Sequence, residues 1–243
     1  MGPGTGLRQV AISRYSFGFY PSSIIAALNV VEQLGWSSVS CITGGLALSA
    51  VSDGTVTSAA GVIIVACVSL FFSFFGLRAV LAYEQYAWIP FFVVFMIIYG
   101  EAAHRADLSA PPQVTGATQS GMALTLISVV YGSSASWCSI VSDFYVQYPV
   151  NTPKIKVFLY TLLGISVPTC IGMLLGCSIA SALPTNPDWN DAYLNGIGEL
   201  LKAVMYPPGF AKFILVLLVL SGSMAMPSPT PALLLTHFAG TDC

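Results

Sequence analysis

The sequence predicts an all-α membrane protein with six transmembrane helices, and three observations carry that reading. Of its 243 residues, 56% are hydrophobic and only 7% charged. A soluble domain carries roughly 25% charged residues, so this chain cannot clothe a water-facing surface. The mean hydropathy is +0.80. Six apolar runs each approach the ~20 residues that a helix needs to cross a bilayer. Polar or turn-forming stretches separate them. The first partner implied is therefore the lipid bilayer. A net charge of −2 without a basic tract excludes a nucleic-acid partner.

The elements follow in order. Residues 1–20 read as a polar, mobile lead-in with Arg8 and Arg14. Residues 1–5 are rich in Gly and Pro with no apolar core behind them, so no signal peptide is expected. Pro21 and Ser22 introduce the first span, 23–50. Asp53-Gly54 is a turn signal, and the second span follows at 58–77. The third, 86–103, has Pro90 near its start, where a missing N–H is harmless. The fourth, 118–142, meets Gly132-Ser133-Ser134-Ala135-Ser136 before Trp137. The fifth, 156–183, contains Pro168 and should kink there. A polar stretch at 184–208 carries Asp188, Asp191 and Glu199, with Trp189 and Tyr193 at interface-like positions. Within it, 190–204 reads as an amphipathic helix lying on or in the outer face. The sixth span covers 210–226.

Lysine and arginine orient the spans. With the N-terminus cytoplasmic, the inner loops hold Arg8, Arg14, Arg78, Lys154 and Lys156, and the outer loops hold Arg105, Lys202 and Lys212. Asp53 has no basic companion in its own loop. Tyr83, Glu84 and Arg78 read as an inner-loop anchor, and Glu101, His104, Arg105 and Asp107 as an outer rim.

The chemistry-bearing residues lie inside spans. Glu32 is an ionisable group in the first span, where a charge is costly unless it faces a cavity or a partner. Glu32, Trp36 and Ser40 are spaced i, i+4, i+8 and share one face. An acid, an indole and a hydroxyl on one stripe suit a planar, hydrogen-bonding ligand. The same residues also suit a packed helix interface, and spacing alone leaves both readings open. The run 132–136 lets another helix or a ligand approach the backbone, or marks an unwound segment of a transporter helix. Trp137, next to it, is either packing or a ligand platform. Asp143 reads as the end of that helix, a solvated or loop-pairing carboxylate.

Catalysis and metal binding find no support. The six cysteines include no C-x-x-C pair, and Cys41, Cys67, Cys138, Cys170 and Cys177 sit in apolar runs as small packing residues. His104 and His237 are isolated, and no hydrolase or phosphate-loop motif is present, so the chain is expected not to be an enzyme.

Several separated motifs then occur together. GPGTGLRQVAISRYSFG, LNVVEQLGWSSVSCITGGLALSAVSDG and FFGLRAVLAYEQYAWIP are followed by YGSSASWCSIVSDFYVQYPVNTPKIKVF, NPDWNDAY and PPGFAKFILVLLVLS. In that order they resemble the fungal purine–cytosine permeases of the nucleobase–cation symporter family. The resemblance spans residues 1–222 and implies the LeuT-type inverted-repeat fold, of which this chain would be a fragment holding the third to eighth of twelve helices. It also implies plasma-membrane proton symport of a nucleobase or related heterocycle. The proton is then the coupling ion, and no other cofactor is implied. Trp36 matches the family's base-stacking Trp, and Ser40 matches a polar binding position. Gly132, Ser133, Ser134, Ser136 and Trp137 match the broken sixth helix, and Glu32 is the candidate for cation coupling.

Residues 223–243 depart from the family. Pro227, Pro229 and Pro231 cannot continue a regular helix. The tail reads as an aberrant end, and the whole as an incomplete product that does not transport by itself. A non-transporting membrane protein that associates with a full-length permease, or is degraded, is the competing expectation.

Overall fold

The computed structural model describes residues 2–73, 76–107, 114–146 and 148–225, with side chains omitted for 72–84 and 220–225. The described residues are helical, joined by short turns. In chain order the helices are α1 Gly2–Thr5, α2 Gln9–Phe17, α3 Phe19–Val51, α4 Ser58–Ser73 and α5 Gly76–Ala103. They continue as α6 Ala117–Ala135, a 3-10 turn Ser136–Ser139, α7 Val141–Tyr145, α8 Lys154–Ala182, α9 Pro187–Asn195, α10 Ile197–Val204 and α11 Pro208–Ala225. The proline-rich tail lies outside the described residues beyond 225.

Among the described residues, four helices are long and apolar enough to cross a membrane: Phe19–Val51, Gln85–Ala103, Ala117–Ser139 and Lys154–Ala182. Ser58–Phe71 and Pro208–Val219 are apolar but shorter. The exposed surface has the character of a lipid-facing one. On α6, Leu124, Leu126, Ile127 and Val129 are all exposed, as are Phe158, Leu159, Tyr160, Leu162 and Leu163 on α8. Such an apolar surface would drive association in water.

Three local expectations change. The lead-in is not irregular, because α1 and α2 occupy most of it. The α5 helix begins at Gly76, so the segment with Tyr83, Glu84 and Arg78 is helical rather than a loop, although those side chains lie outside the described residues. Pro90 is consequently an interior residue, where its missing N–H leaves the carbonyl of Tyr86 without its helical donor. Pro168 lies in the interior of α8, where the sequence puts it.

The chain forms two compact units. One takes the described residues of Met1–Gln33 and Pro111–Cys170, the other those of Leu34–Ala110 and Ile171–Pro229. In the first, α1 and α2 pack on α7. A Cβ at Gly2 would lie 2.9 Å from the Ser142 carbonyl oxygen, so only glycine permits this approach.

In the second, Val94 and Ile98 of α5, Leu175 and Ile179 of α8, and Ile214 and Leu215 of α11 close on α10 and on the buried Trp189. Trp189 is 2% exposed, with the Arg105 guanidinium 5.2 Å from its ring centroid. It is thus a core residue rather than an interface anchor. The amphipathic element arrives as two helices, because Gly196 stands at φ 131° between them. Its apolar face, Leu200 and Val204, is buried inside the protein. Where α3 meets α4, main chain touches main chain: a Cβ on Gly45 would sit 2.6 Å from the Val62 nitrogen, and one on Gly61 would sit 2.6 Å from the Gly45 oxygen. Close approach of this kind is how membrane helices gain dispersion contacts when lipid offers no hydrophobic driving force.

The Asp53-Gly54 turn forms as the sequence signals, with both residues at positive φ. Asp53 has basic partners after all, supplied by the fold. Its carboxylate pairs with Lys202 at 3.1 Å and with Lys212, and Lys202 also pairs with Glu199 at 2.7 Å. Lys202 Nζ further donates to the Ala50 carbonyl at 3.0 Å, which also accepts the Asp53 backbone N–H at 3.3 Å, so the lysine ties down the end of α3. The hydrogen bonds from Lys212 and then Lys202 hold Asp53 below the usual carboxylate range. Burial pulls Lys202 down, but the hydrogen bonds it donates to Glu199 and Asp53 outweigh it, and its pKa is raised.

The signs fix a pH window. A depressed acid stabilises above its unfolded value of ~3.9 and loses that contribution as pH falls further. A raised lysine stabilises below ~10.4 and loses its contribution as pH rises beyond. The contribution of this latch to the melting temperature should therefore be constant between these limits and be lost outside them. Asp53→Lys, which sets three cations together, is expected to lower it by a few degrees at low salt and by less at 1 M salt. Equal melting temperatures for the variant and the parent at low salt would remove this latch from the account.

Candidate functional site

The α3 helix supplies the first set of residues. Glu32, Trp36 and Ser40 share its stripe, and Asn29, one turn before Glu32, extends it. Asn29 and Glu32 lie in the first unit, Trp36 and Ser40 in the second. Trp36 is 37% exposed and Ser40 is partly exposed. Asn29 is buried, at 6% exposure, and a buried amide needs partners.

The second set lies in the first unit with Asn29 and Glu32. Gly132, Ser133 and Ser134 are still α-helical; the helix tightens only at Ser136 and breaks at Ile140, whose φ is −127°. The serine spacing accounts for the tightening. Ser133 Oγ donates to the Val130 carbonyl at 2.8 Å, Ser136 Oγ to Ser133 at 3.0 Å, and Ser139 Oγ lies 2.7 Å from the Ser136 carbonyl. Three hydroxyls at a period of three reach back three residues each, which matches the three residues per turn of a 3-10 helix. Trp137 is 42% exposed, its ring 5.9 Å from that of Phe144.

Ser139 and Asn29 are functional candidates that the sequence reading missed. Ser139 Oγ is 2.9 Å from Asn29 Oδ1, tying the 3-10 turn to α3. Two signals pointed to them: the Ser-x-x-Ser-x-x-Ser run and the placement of Asn29 on the Glu32 stripe.

These residues line a cavity of about 310 Å³ with α2. Its polar lining is Gln9, Ser13, Asn29, Glu32 and Ser139, and Phe17 and Leu28 are among its apolar walls. Asp143 closes one side of the assembly: its carboxylate accepts the Gln9 backbone N–H at 2.9 Å, which caps α2 from a residue 134 positions away. Asp143 is buried rather than solvated, and of its two expected roles it takes the pairing one, with the start of α2 in place of a loop. Burial raises its pKa, against the Gln9 hydrogen bond and the Arg8 charge, which lower it. Among the described residues no three His, Cys, Asp or Glu side chains group as a metal site.

Comparison with known proteins places this arrangement in context. Residues 1–228 match a family described as "Permease for cytosine/purines, uracil, thiamine, allantoin". The chain is similar to the purine-cytosine permease fcyB of Emericella nidulans, with 38% identity over 89% of this chain and 43% of the relative. It is similar to the Saccharomyces cerevisiae purine-cytosine permease FCY21, with 34% identity over 90% of this chain and 43% of the relative. The vitamin B6 transporter TPN1 of S. cerevisiae is 32% identical over 91% of this chain and 39% of its own length. The chain thus spans about two fifths of the length of these relatives. No solved structure matches.

Proposed function

The chain belongs to the family of permeases for cytosine/purines, uracil, thiamine and allantoin, and from that membership we propose that it serves the transmembrane passage of a nucleobase or related heterocycle by proton symport. The family match over residues 1–228 carries this reading. Its helices are those of a multi-pass membrane protein, and its relatives are transporters, not enzymes. We take the arrangement to be six spans of a LeuT-type fold in the plasma membrane, with the N-terminus cytoplasmic.

In this reading Trp36 stacks on the ring and Ser40 hydrogen-bonds its edge, which is how a planar base is recognised. Within the other unit, Gly132, Ser133, Ser134, Ser136 and Trp137 offer substrate a helix that loosens its backbone ladder, and the period-three hydroxyl bonds support that role. Glu32 carries or senses the coupled proton, as an acid within a span is suited to do.

The test is a segment exchange. Residues 1–228 replace the aligned segment of the E. nidulans relative, and uptake of labelled cytosine, adenine and pyridoxine is followed in permease-null yeast. The expected result is saturable uptake of at least one compound, lost on adding a protonophore. Saturable uptake that ignores the protonophore would remove proton symport. A chimera that reaches the plasma membrane yet takes up none of them would overturn the transport reading. Expressed without the rest of a permease, the 243 residues are expected to give no saturable uptake.

A further inference from the structure

We propose that the end of the first unit built from α2, α7 and the start of α8 is a docking surface for anionic phospholipid headgroups. The proposal requires only that the long helices lie in a bilayer, whatever they carry across it. Charge is the first argument. Among the described residues of this unit the basic side chains are Arg8, Arg14, Lys154 and Lys156, and the acids are Glu32 and Asp143. Neither acid cancels the basic groups at the surface. Asp143 is buried and caps α2, and Glu32 lies ~20 Å along α3 from Phe19. Arg8, Lys154 and Lys156 are exposed. Lys202 and Lys212 of the second unit contrast with them, because both already pair with Asp53.

Packing gathers the basic residues at one end. Helix α2 packs on α7, and the Arg8 charge bears on the Asp143 carboxyl of that helix. Tyr145, at the end of α7, hydrogen-bonds Thr161, which is about two turns along α8 from Lys154. Arg14 is ~9 Å along α2 from Arg8, its guanidinium 5.0 Å from the Phe19 ring centroid.

The aromatic rings set the depth of this end. At nine residues α2 is too short to span a bilayer. Val10 and Ala11 are its buried side, whereas Tyr15, Phe17, Phe19 and Tyr20 stand exposed around the bend at Gly18, whose φ is 82°. Rings with an apolar body and a polar tip belong at the boundary between hydrocarbon and water. Exposed apolar side chains follow directly on both strands of the chain that enter here, Ile24 and Leu28 on α3 and Phe158 and Leu159 on α8. The basic groups therefore stand at the rim of the apolar surface, where long side chains reach lipid phosphates. Net negative charge is what separates a phosphatidylserine headgroup from a zwitterionic one, so unbalanced cations select the anionic class.

The test counts bound lipid. The full 243-residue chain is purified in a neutral detergent and titrated with phosphatidylserine or phosphatidylcholine of the same acyl chains, and native mass spectrometry reads the lipid retained. A basic residue near an anionic surface strengthens binding about fivefold, so phosphatidylserine is expected to bind at least about tenfold more tightly than phosphatidylcholine. Arg8→Gln, Lys154→Gln and Lys156→Gln combined should bring the two lipids to within about twofold. Should the triple variant misfold, Lys154→Gln with Lys156→Gln decides, because both side chains are exposed, and it should cut the preference at least about fivefold. Equal affinity for the two lipids in the parent, or a preference unchanged in the folded variants, overturns the surface. Displacement of the bound lipid by an equal concentration of glycerophosphoserine, which has the headgroup without acyl chains, also overturns it and assigns the charges to a soluble anion. Uptake by the chimera is read separately, so failure here leaves the transport reading in place.

Discussion

Replacing Gly45 with leucine is expected to reduce the yield of monodisperse protein at least tenfold, with Gly45→Ala falling between leucine and the parent. The obstacle is backbone. A Cβ at position 45 would meet Val62 Cγ2 at 2.5 Å, Val62 N at 2.6 Å and Val62 Cα at 2.8 Å. A flexible side chain can swing away, but a helix main chain moves only if the whole helix moves. Forcing extra atoms into a packed core costs ~1–3 kcal/mol where side chains can yield, and this contact offers less relief. The same displacement would disturb Gly198, because its absent Cβ faces the Leu46 carbonyl oxygen at 2.5 Å on the neighbouring turn of α3. Gly100→Ala on α5 is the control: nothing lies within 4 Å of its Cβ position, and alanine gains up to ~1 kcal/mol of helix propensity. Fluorescence-detected size-exclusion chromatography after a heating series reads all three variants. If Gly45→Leu behaves like Gly100→Ala, α3 and α4 do not cross at these glycines.

The parts legible in the sequence were those set by local physics. Helices α3 and α8 start and stop within a few residues of the apolar runs 23–50 and 156–183, because apolar length alone defines them. Asp53-Gly54 turned as written, since that pair accepts positive φ without help. The parts not legible depend on distant groups. Helix α2 is capped by Asp143, and no window around Gln9 could reveal a partner 134 residues on. Trp189 is buried because α5, α8, α10 and α11 converge on it, so the same indole that suits a membrane interface becomes core. Asp53 looked unpaired in its loop and gained Lys202 and Lys212 only through folding. At the candidate site, the stripe through Glu32, Trp36 and Ser40 was readable from helical spacing. The serine ladder was written in the sequence too, but its link from Ser139 to Asn29 requires the tertiary fold.

Trp36→Ala in the segment-exchange permease is expected to raise the KM for uptake by between tenfold and a hundredfold. Base–aromatic stacking contributes ~1–3 kcal/mol per base on alanine substitution, and each ~1.4 kcal/mol is a factor of ten. Because stacking acts on the bound substrate before any conformational step, the loss should appear in KM more than in the maximal rate. Trp36→Phe keeps a ring face and should recover most of the affinity. Ser40→Ala removes one hydrogen bond and should cost about tenfold or less. A packing role for Trp36 makes a different set of predictions. Trp36 is 37% exposed on α3, so removing a packed indole would lower the amount of permease at the cell surface. It would reduce the maximal rate for every substrate in proportion and leave KM in place. Uptake kinetics normalised to surface abundance, measured for the parent and all three variants, therefore separate stacking from packing at this residue, and an unchanged KM in Trp36→Ala would take the indole out of the substrate site.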